Sequence, residues 1–197
     1  MKYNPVIHNR KSIRLKGFDY SQNGAYFITI VTQNREEIFG NIDNAKMMLN
    51  IFGETIIKWV GELEIKYSDV VIDEYCVMPN HFHAIIILVG AGFPRPMENK
   101  TVQEGQGDPA PTTNTTKNQS KTTIGNIMGF FKYQTSKEIN ILRDKQGISL
   151  WQRNYYDRII RDEKELESVR AYIKNNPLKL EKDMENRYSK YKKATEL

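Results

Sequence analysis

The segment CVMPNHFHAIIILVG, from Cys76 to Gly90, places two of the chain's three histidines at the head of an aliphatic run. Residues His81–Val89 predict a β-strand with two apolar faces, which is typical of a strand in the centre of a sheet. The preceding residues, Asp69–Pro79, predict a neighbouring strand, and MPN forms the tight connection between the two. We therefore expect the second strand of this hairpin to be central in its sheet.

Outward from the hairpin, strand and helix patterns alternate along the chain. The predicted elements are a strand at Ala25–Glu36, an amphipathic helix at Asn44–Tyr67 with Met48 on its apolar stripe, a second helix at Ile124–Leu142, a strand or extended segment at Ile148–Ile160, and a last helix at Asp162–Pro177. This order matches the ferredoxin-like split βαβ plan. The predicted fold class is α+β, an antiparallel sheet with βαββαβ order followed by an extra C-terminal helix.

The composition predicts one domain over residues 1–197, with 39% hydrophobic and 27% charged residues. Residues Gly90–Thr122 are rich in Gly, Pro, Thr, Asn and Gln, and this predicts a mobile low-complexity insertion. The longest apolar run is much shorter than the roughly 20 residues of a membrane span, so no membrane partner is expected. A single cysteine fits a cytoplasmic location. The net charge of +5 and the basic ends leave nucleic acid open as a partner.

His81 and His83 are two residues apart in a predicted strand, so their side chains project from the same face. Two imidazoles so placed could share a metal ion, or they could be structural histidines with satisfied hydrogen bonds. A closed zinc site is disfavoured because Cys76 is the one cysteine available. An open site with a third, weaker ligand would bind its ion weakly until a phosphate completed it, which favours phosphoryl chemistry.

The last predicted helix offers partners for this site. Tyr172 and Asn176 are four residues apart and share a helix face, beside an apolar stripe of Leu166, Val169 and Ile173. An Asn carbonyl can bind a hard cation, and a tyrosine beside a metal-bound phosphate can be a nucleophile. Asn176 precedes a proline, which disfavours helical geometry there, so Asn175 is the alternative ligand.

Four segments together carry a resemblance. RKSIRLKGFDYSQNGAYFITIVTQNR, VMPNHFHAIIIL, LWQRNYYDRIIRDEKEL and VRAYIKNNP lie between Arg10 and Pro177, outside the low-complexity insertion. In them the chain resembles the HUH-type single-strand DNA transposases, in the branch of the REP-associated tyrosine transposases. The resemblance implies that His81, His83 and Asn176 bind Mg²⁺ or Mn²⁺ and that Tyr172 is the catalytic nucleophile.

The resemblance also implies a reaction and a substrate. The tyrosine would attack a phosphate of single-stranded DNA from hairpin-forming repeats, leaving a 5′-phosphotyrosine and a free 3′-OH. Tyr155 and Tyr156 are the rival nucleophiles. The expected DNA contacts are Arg10, Arg14, Lys132, Arg153, Arg158 and Arg161, each of which could equally be a surface charge.

Two other functions stay open from the sequence. One is a ferredoxin-like nucleic-acid-binding protein without catalysis. The other is a replication or conjugation nuclease of the HUH group. The resemblance leaves the oligomeric state open, since insertion-sequence relatives are dimers that can exchange the tyrosine helix, while this branch can act as monomers. A homodimer is therefore possible.

Overall fold

The computed structural model describes residues 18–89 and 121–180. The elements are, in chain order, β1 (Gly24–Val31), β2 (Gly40–Asp43), β3 (Lys46–Leu49), α1 (Ile51–Lys66), β4 (Val70–Met78), β5 (His81–Leu88), α2 (Ile124–Leu142), β6 (Tyr156–Ile160) and α3 (Glu163–Lys174). A one-turn 3₁₀ helix at Gln33–Arg35 follows β1. The predictions for residues 1–17, including Arg10 and Arg14, and for nearly all of the insertion at 90–122 lie outside the described residues.

The main sheet has four strands in the order β4-β5-β1-β6, and each neighbouring pair is antiparallel. This is the order that a split βαβ arrangement requires, since β5 returns from β4 to lie beside β1. The predicted α+β class, the βαββαβ order and the C-terminal helix are confirmed. β5 is one of the two central strands, as its two apolar faces predict.

The sheet separates two apolar layers. Alternate residues of β1 and β5, such as Ile28, Ile30, Phe82 and Ile86, pack against α1 and α2 in the larger core. On the opposite face, Ile85 and Ile160 pack against Val169 and Ile173 of α3. We call the side of the sheet that packs against α1 and α2 the core face, and the side that packs against α3 the α3 face. Residues directly opposite each other in an antiparallel pair share a face, so the register fixes which side chains meet α3.

The first helix begins later than its apolar spacing predicts. Lys46–Leu49 forms β3, which pairs with β2 in a small separate hairpin, so the assignment of Met48 to a helical stripe is wrong. Asn44 and Ala45 have positive φ and make the hairpin turn. Asn50 then caps α1, because its side chain accepts hydrogen bonds from the amides of Phe52 and Gly53.

Other boundaries also differ from the prediction. The first strand was predicted to reach Glu36, but β1 ends at Val31 and the 3₁₀ helix at Gln33–Arg35 follows it. The segment before β6 makes a single bridge, between Trp151 and Thr32, and regular pairing begins at Tyr156. At the C-terminal end, α3 ends at Lys174 and helical residues resume at 176–180. Pro177 therefore does not stop the helix. It lies in the first turn of the next helical segment, where a missing amide hydrogen costs little.

Within the described ranges, no helix is long and apolar enough to cross a membrane. The prediction of a single domain over residues 1–197 stays a prediction.

The contact between the β2–β3 hairpin and α1 gives a matched test at two glycines of one helix. A Cβ atom on Gly53 would clash with the Phe39 carbonyl oxygen and lie 2.7 Å from Leu49 Cδ2, whereas one on Gly61 would meet nothing within 4 Å. We expect Gly53→Ala to lower the free energy of unfolding by about 1–3 kcal/mol through overpacking. Gly61→Ala should raise it by about 0.5–1 kcal/mol, because alanine is the better helix former. Urea denaturation measures both, and equal effects would contradict the packing of the hairpin on α1.

Candidate active site

The two histidines lie side by side on the α3 face at the start of β5. His81 is opposite Val31 of β1 and Met78 of β4, and His83 is opposite Thr29 and Cys76. The centroids of the two imidazole rings are 4.7 Å apart and the rings are nearly perpendicular. The shared face predicted from the His-x-His spacing is therefore present.

Each histidine uses its Nδ1 atom in a side-chain hydrogen bond. His81 Nδ1 lies 2.7 Å from Asn80 Oδ1, and an amide oxygen can only accept, so Nδ1 carries the hydrogen. His83 Nδ1 lies 2.8 Å from the Thr29 hydroxyl, and His83 Nε2 is buried without a hydrogen-bond partner. If Nδ1 donates in both rings, each Nε2 keeps a lone pair that can bind a metal.

Burial keeps both imidazoles neutral. Desolvation, with a smaller contribution from Arg35, lowers the pKa of His81 to about 4. Desolvation, with a smaller contribution from His81, lowers the pKa of His83 to about 3. Neutral imidazole is the form that binds metals, so both rings are in the binding form at neutral pH.

Helix α3 is held over this face by apolar contacts and by two ion pairs to β4. Arg170 donates to both carboxylate oxygens of Asp73, at 2.7 and 2.6 Å, and Lys174 Nζ lies 3.1 Å from Glu74. The register of β4 shifts between Ile72 and Glu74. Neighbouring residues in a regular strand point to opposite faces, so this irregularity lets two adjacent carboxylates both reach α3.

Tyr172 extends from α3 to the histidines. Its ring packs edge-on against His83 with 5.4 Å between centroids, and against Phe27 with 5.9 Å. Lys179 Nζ lies 5.7 Å from the centre of the same ring. Tyr172 is 41% exposed, while the next residue, Ile173, is fully buried, so the edge of the helix presents the phenol to solvent beside the imidazoles.

The structure distinguishes the two asparagines at the end of α3. The Asn175 side chain donates to the Ala171 carbonyl oxygen and is exposed. Asn176 is buried, and its amide nitrogen has no hydrogen-bond partner. The atom of either residue that could bind a cation is the side-chain oxygen, so the choice of Asn176 over Asn175 as the third ligand stays a prediction.

The two rival tyrosines are adjacent residues at the start of β6 and lie on opposite faces of the sheet. Tyr156 begins β6 opposite Thr29, on the α3 face, and is 66% exposed. Tyr155 is partly buried and packs against the larger core. The Tyr172 ring contacts His83 directly.

The predicted DNA-contacting residues in the described ranges are spread over β6 and its surroundings. Arg153 and Arg161 are exposed, and Arg158 pairs with Glu165 at the start of α3. Lys132 donates to the carbonyl oxygens of Gln152 and Arg153, and burial lowers its pKa. Lys132 therefore supports the chain before β6 from within the fold. Their contact with DNA stays a prediction.

A metal site here would use nitrogen and amide ligands. In the part of the chain that the structure describes, no group of three or more His, Cys, Asp or Glu side chains is arranged to hold a metal ion. His81 and His83 supply two imidazoles, and the buried, unpaired Nε2 of His83 fits a site that takes a further group.

Four residues of the site are not evident from the sequence pattern. Thr29, Asp73 and Arg170 position His83 and α3 through side-chain contacts between distant segments, and Asn80 positions the adjacent His81. The role of Asn80 could have been found from the sequence, because Asn80 lies beside His81 in the predicted turn. No sequence feature points to the roles of Thr29, Asp73 and Arg170, because these roles depend on strand register and on a bulge.

No family model matches the chain. It is 37% identical over 185 residues to an uncharacterized protein of Haemophilus influenzae, an alignment that covers 92% of this chain and 96% of the relative. The chain belongs to the same family as that protein. Among solved structures, it is similar to a REP-associated tyrosine transposase bound to a REP hairpin, with a TM-score of 0.51 and 17% identity over 84% of this chain and 73% of the other. At that identity the similarity establishes the fold.

The lowered pKa values of the histidines predict a dependence of stability on pH in the metal-free protein. An unfolded histidine has a pKa near 6.5, so as the pH falls below that value the unfolded chain takes up protons that the folded chain does not. Folded-state stability is therefore fully present above pH 6.5 and is lost towards pH 4. We expect a loss of about 1 kcal/mol per pH unit per histidine between pH 6.5 and 5, measured by urea denaturation in EDTA.

The control for this dependence is the double variant His81→Gln, His83→Gln. It retains His8, so any remaining slope in this pH range reports that residue or the carboxylates. A wild-type stability that stays constant between pH 6.5 and 5 would contradict the buried neutral state.

The ion pair between Arg170 and Asp73 predicts how α3 is attached. Arg170→Ala should leave a largely buried carboxylate without its partner and lower the free energy of unfolding by about 1–3 kcal/mol. Glu163→Gln is the control, because Glu163 contacts Arg170 at 3.5 Å with a side chain that is 73% exposed, and it should cost less than about 0.5 kcal/mol. Equal losses in the two variants would show that Asp73 is not the anchor.

Proposed function

We propose that the protein is a metal-dependent endonuclease and strand transferase of the transposase type. Its substrate would be single-stranded, hairpin-forming DNA, and its intermediate a 5′-phosphotyrosine on Tyr172. The observation that carries the proposal is the contact between Tyr172 and His83. A solvent-accessible phenol from one element lies against a buried imidazole from another, and that imidazole has an unpaired nitrogen.

The histidines support the presence of a metal ion in this site. Histidines with a purely structural role would be expected to have their polar atoms paired, and a buried unpaired nitrogen costs free energy. We propose that His81 and His83 hold Mg²⁺ or Mn²⁺ through Nε2, with the side-chain oxygen of Asn176 as the third ligand. When bound, the ion would supply Lewis-acid polarisation of the scissile phosphate.

The proposed reaction exchanges one phosphodiester bond for another. The Tyr172 hydroxyl oxygen forms a bond to phosphorus, and the bond from phosphorus to the 3′ oxygen breaks. The phenol loses its proton and the leaving 3′ oxygen gains one, so the products are a 5′-phosphotyrosine and a 3′-OH. A later attack by another 3′-OH reverses the same step and joins two strands without an external energy source.

The fold and the charge favour a nucleic-acid substrate. One similar solved structure is a REP-associated tyrosine transposase bound to a REP hairpin, and the present chain carries a net charge of +5. Arg153 precedes β6 and Arg161 follows it, and both side chains are exposed. Basic side chains in such positions contact phosphates and set the position of the strand.

The test of this function is formation of a covalent adduct. The full chain is incubated with single-stranded hairpin oligonucleotides and Mn²⁺, and a DNA–protein product resistant to denaturation is expected. Tyr172→Phe should abolish it, because the variant lacks the attacking oxygen. The variant keeps the ring contacts with His83 and Phe27, so its stability should change by no more than about 1 kcal/mol. EDTA should also abolish the adduct.

Tyr156→Phe is the matched control, since Tyr156 is exposed on the same face and should keep the adduct. Peptide mapping identifies the linked tyrosine directly. DNA on the tryptic peptide AYIK supports Tyr172, and DNA on NYYDR would overturn it. A wild-type chain that binds hairpins and never forms an adduct would favour a binding protein without catalysis.

A further inference from the structure

A cavity of about 310 Å³ opens beside the histidine pair. It lies between the end of β1 and the chain that leads into β6. Its lining residues are Thr29, Val31, Gln152, Arg153, Asn154, Tyr155 and Tyr156. Thr29 is also the residue whose hydroxyl contacts His83 Nδ1, so one wall of the cavity is continuous with the candidate active site.

The cavity exists because two paired segments differ in length. Thr32, the residue after β1, pairs with Trp151, and Thr29 of β1 pairs with Tyr156 of β6. Between these points β1 advances three residues and its partner advances five, so the partner bulges away from β1. Lys132 donates to the carbonyl oxygens of Gln152 and Arg153 and so fixes the bulge from the interior of the fold.

The lining combines the groups that bind an unstacked nucleotide. Tyr156 is 66% exposed, which leaves its ring available for stacking, and Arg153 is an exposed cation. Aromatic rings and guanidinium groups stack on bases, and the exposed Asn154 amide can donate to and accept from a base edge. The Gln152 side chain donates to the Thr32 carbonyl oxygen and so helps to shape the wall of the cavity. The volume is at the lower end of the roughly 300–1,000 Å³ range of small-molecule sites, which suits one nucleotide and excludes a duplex.

From these features we infer that the cavity between β1 and the bulge before β6 is a subsite for one unstacked nucleotide of single-stranded DNA. The position of that nucleotide next to the phosphate attacked by Tyr172 rests on the proposed function, whereas binding of a nucleotide in the cavity does not. The subsite would hold the strand beside the histidines by a base, in addition to the contacts that arginines make with phosphates.

The first experiment is independent of any cleavage. The full chain is titrated with each of the four deoxynucleoside 5′-monophosphates and followed by amide chemical shifts. Saturable shifts are expected at Asn154 and Tyr156 for at least one nucleotide, with none at Tyr133. Tyr133 is a matched control, because it is 64% exposed and lies on α2, on the other side of the sheet. Absence of saturable shifts around the cavity with all four nucleotides would overturn the inference.

The second experiment places the subsite relative to the reaction. A hairpin oligonucleotide that forms the adduct is prepared with one abasic residue at each position around the cleavage point, and binding is measured with the Tyr172→Phe chain. One position should weaken binding by about 10- to 100-fold, the range for loss of one stacked base. Tyr156→Ala should weaken binding of the intact strand by a similar factor and abolish the penalty at that one position. Tyr133→Ala should do neither.

The outcomes separate the two proposals. If the abasic residue and Tyr156→Ala each weaken binding by the same factor whether or not the other is present, the base does not stack on Tyr156. That result would contradict the subsite and leave the tyrosine mechanism in place. Nucleotide shifts at Asn154 and Tyr156 in a chain that forms no adduct would support the subsite and contradict the proposed function.

Discussion

The register between β5 and β1 is the constraint on which the rest of the structure depends. With Thr29 opposite His83, the residues Phe82 and Ile86 fall on the core face and the histidines fall on the α3 face. A shift of one residue would exchange the two faces, since side chains alternate along a strand. Two imidazoles would then enter the apolar layer under α1 and α2, at the cost of burying polar groups without partners. The hydrophobic pattern that fixes the fold therefore also fixes the site.

Helix α3 completes the site from a smaller interface than the other helices have. It buries Val169 and Ile173, whereas α1 buries five residues and α2 seven. A helix with so little buried surface is a natural candidate for local opening, and its ion pairs to Asp73 and Glu74 compensate in part. Because Ile173 is buried and Tyr172 is at the edge of the interface, the packing that orients the helix leaves the phenol accessible.

The sequence predicted elements whose signals are periodic and local. The bounds of α2, the pairing of β4 with β5 and the shared face of His81 and His83 follow from apolar alternation and spacing. The β2–β3 hairpin was missed because its residues also fit a helical stripe, and positive φ at Asn44 and Ala45 decided between the two. The contact of Thr29 with His83 and the bulge at Asp73 could not be predicted, because both depend on which residues face each other across strands distant in sequence.

The ion pairs that attach α3 also set the charge of the candidate site. Asp73 and Glu74 are the acidic residues that β4 directs towards α3, and both are paired with cations, Arg170 and Lys174. Burial lowers the pKa of both imidazoles and so keeps them neutral, and Asn176 is uncharged. The absence of a net charge from these groups favours the proposed reaction. An unpaired carboxylate beside the histidines would repel a DNA phosphate. Neutral ligands would leave the full charge of a bound dication available to attract that phosphate. The same contacts thus anchor the tyrosine helix and keep the face that it covers free of unpaired negative charge from β4.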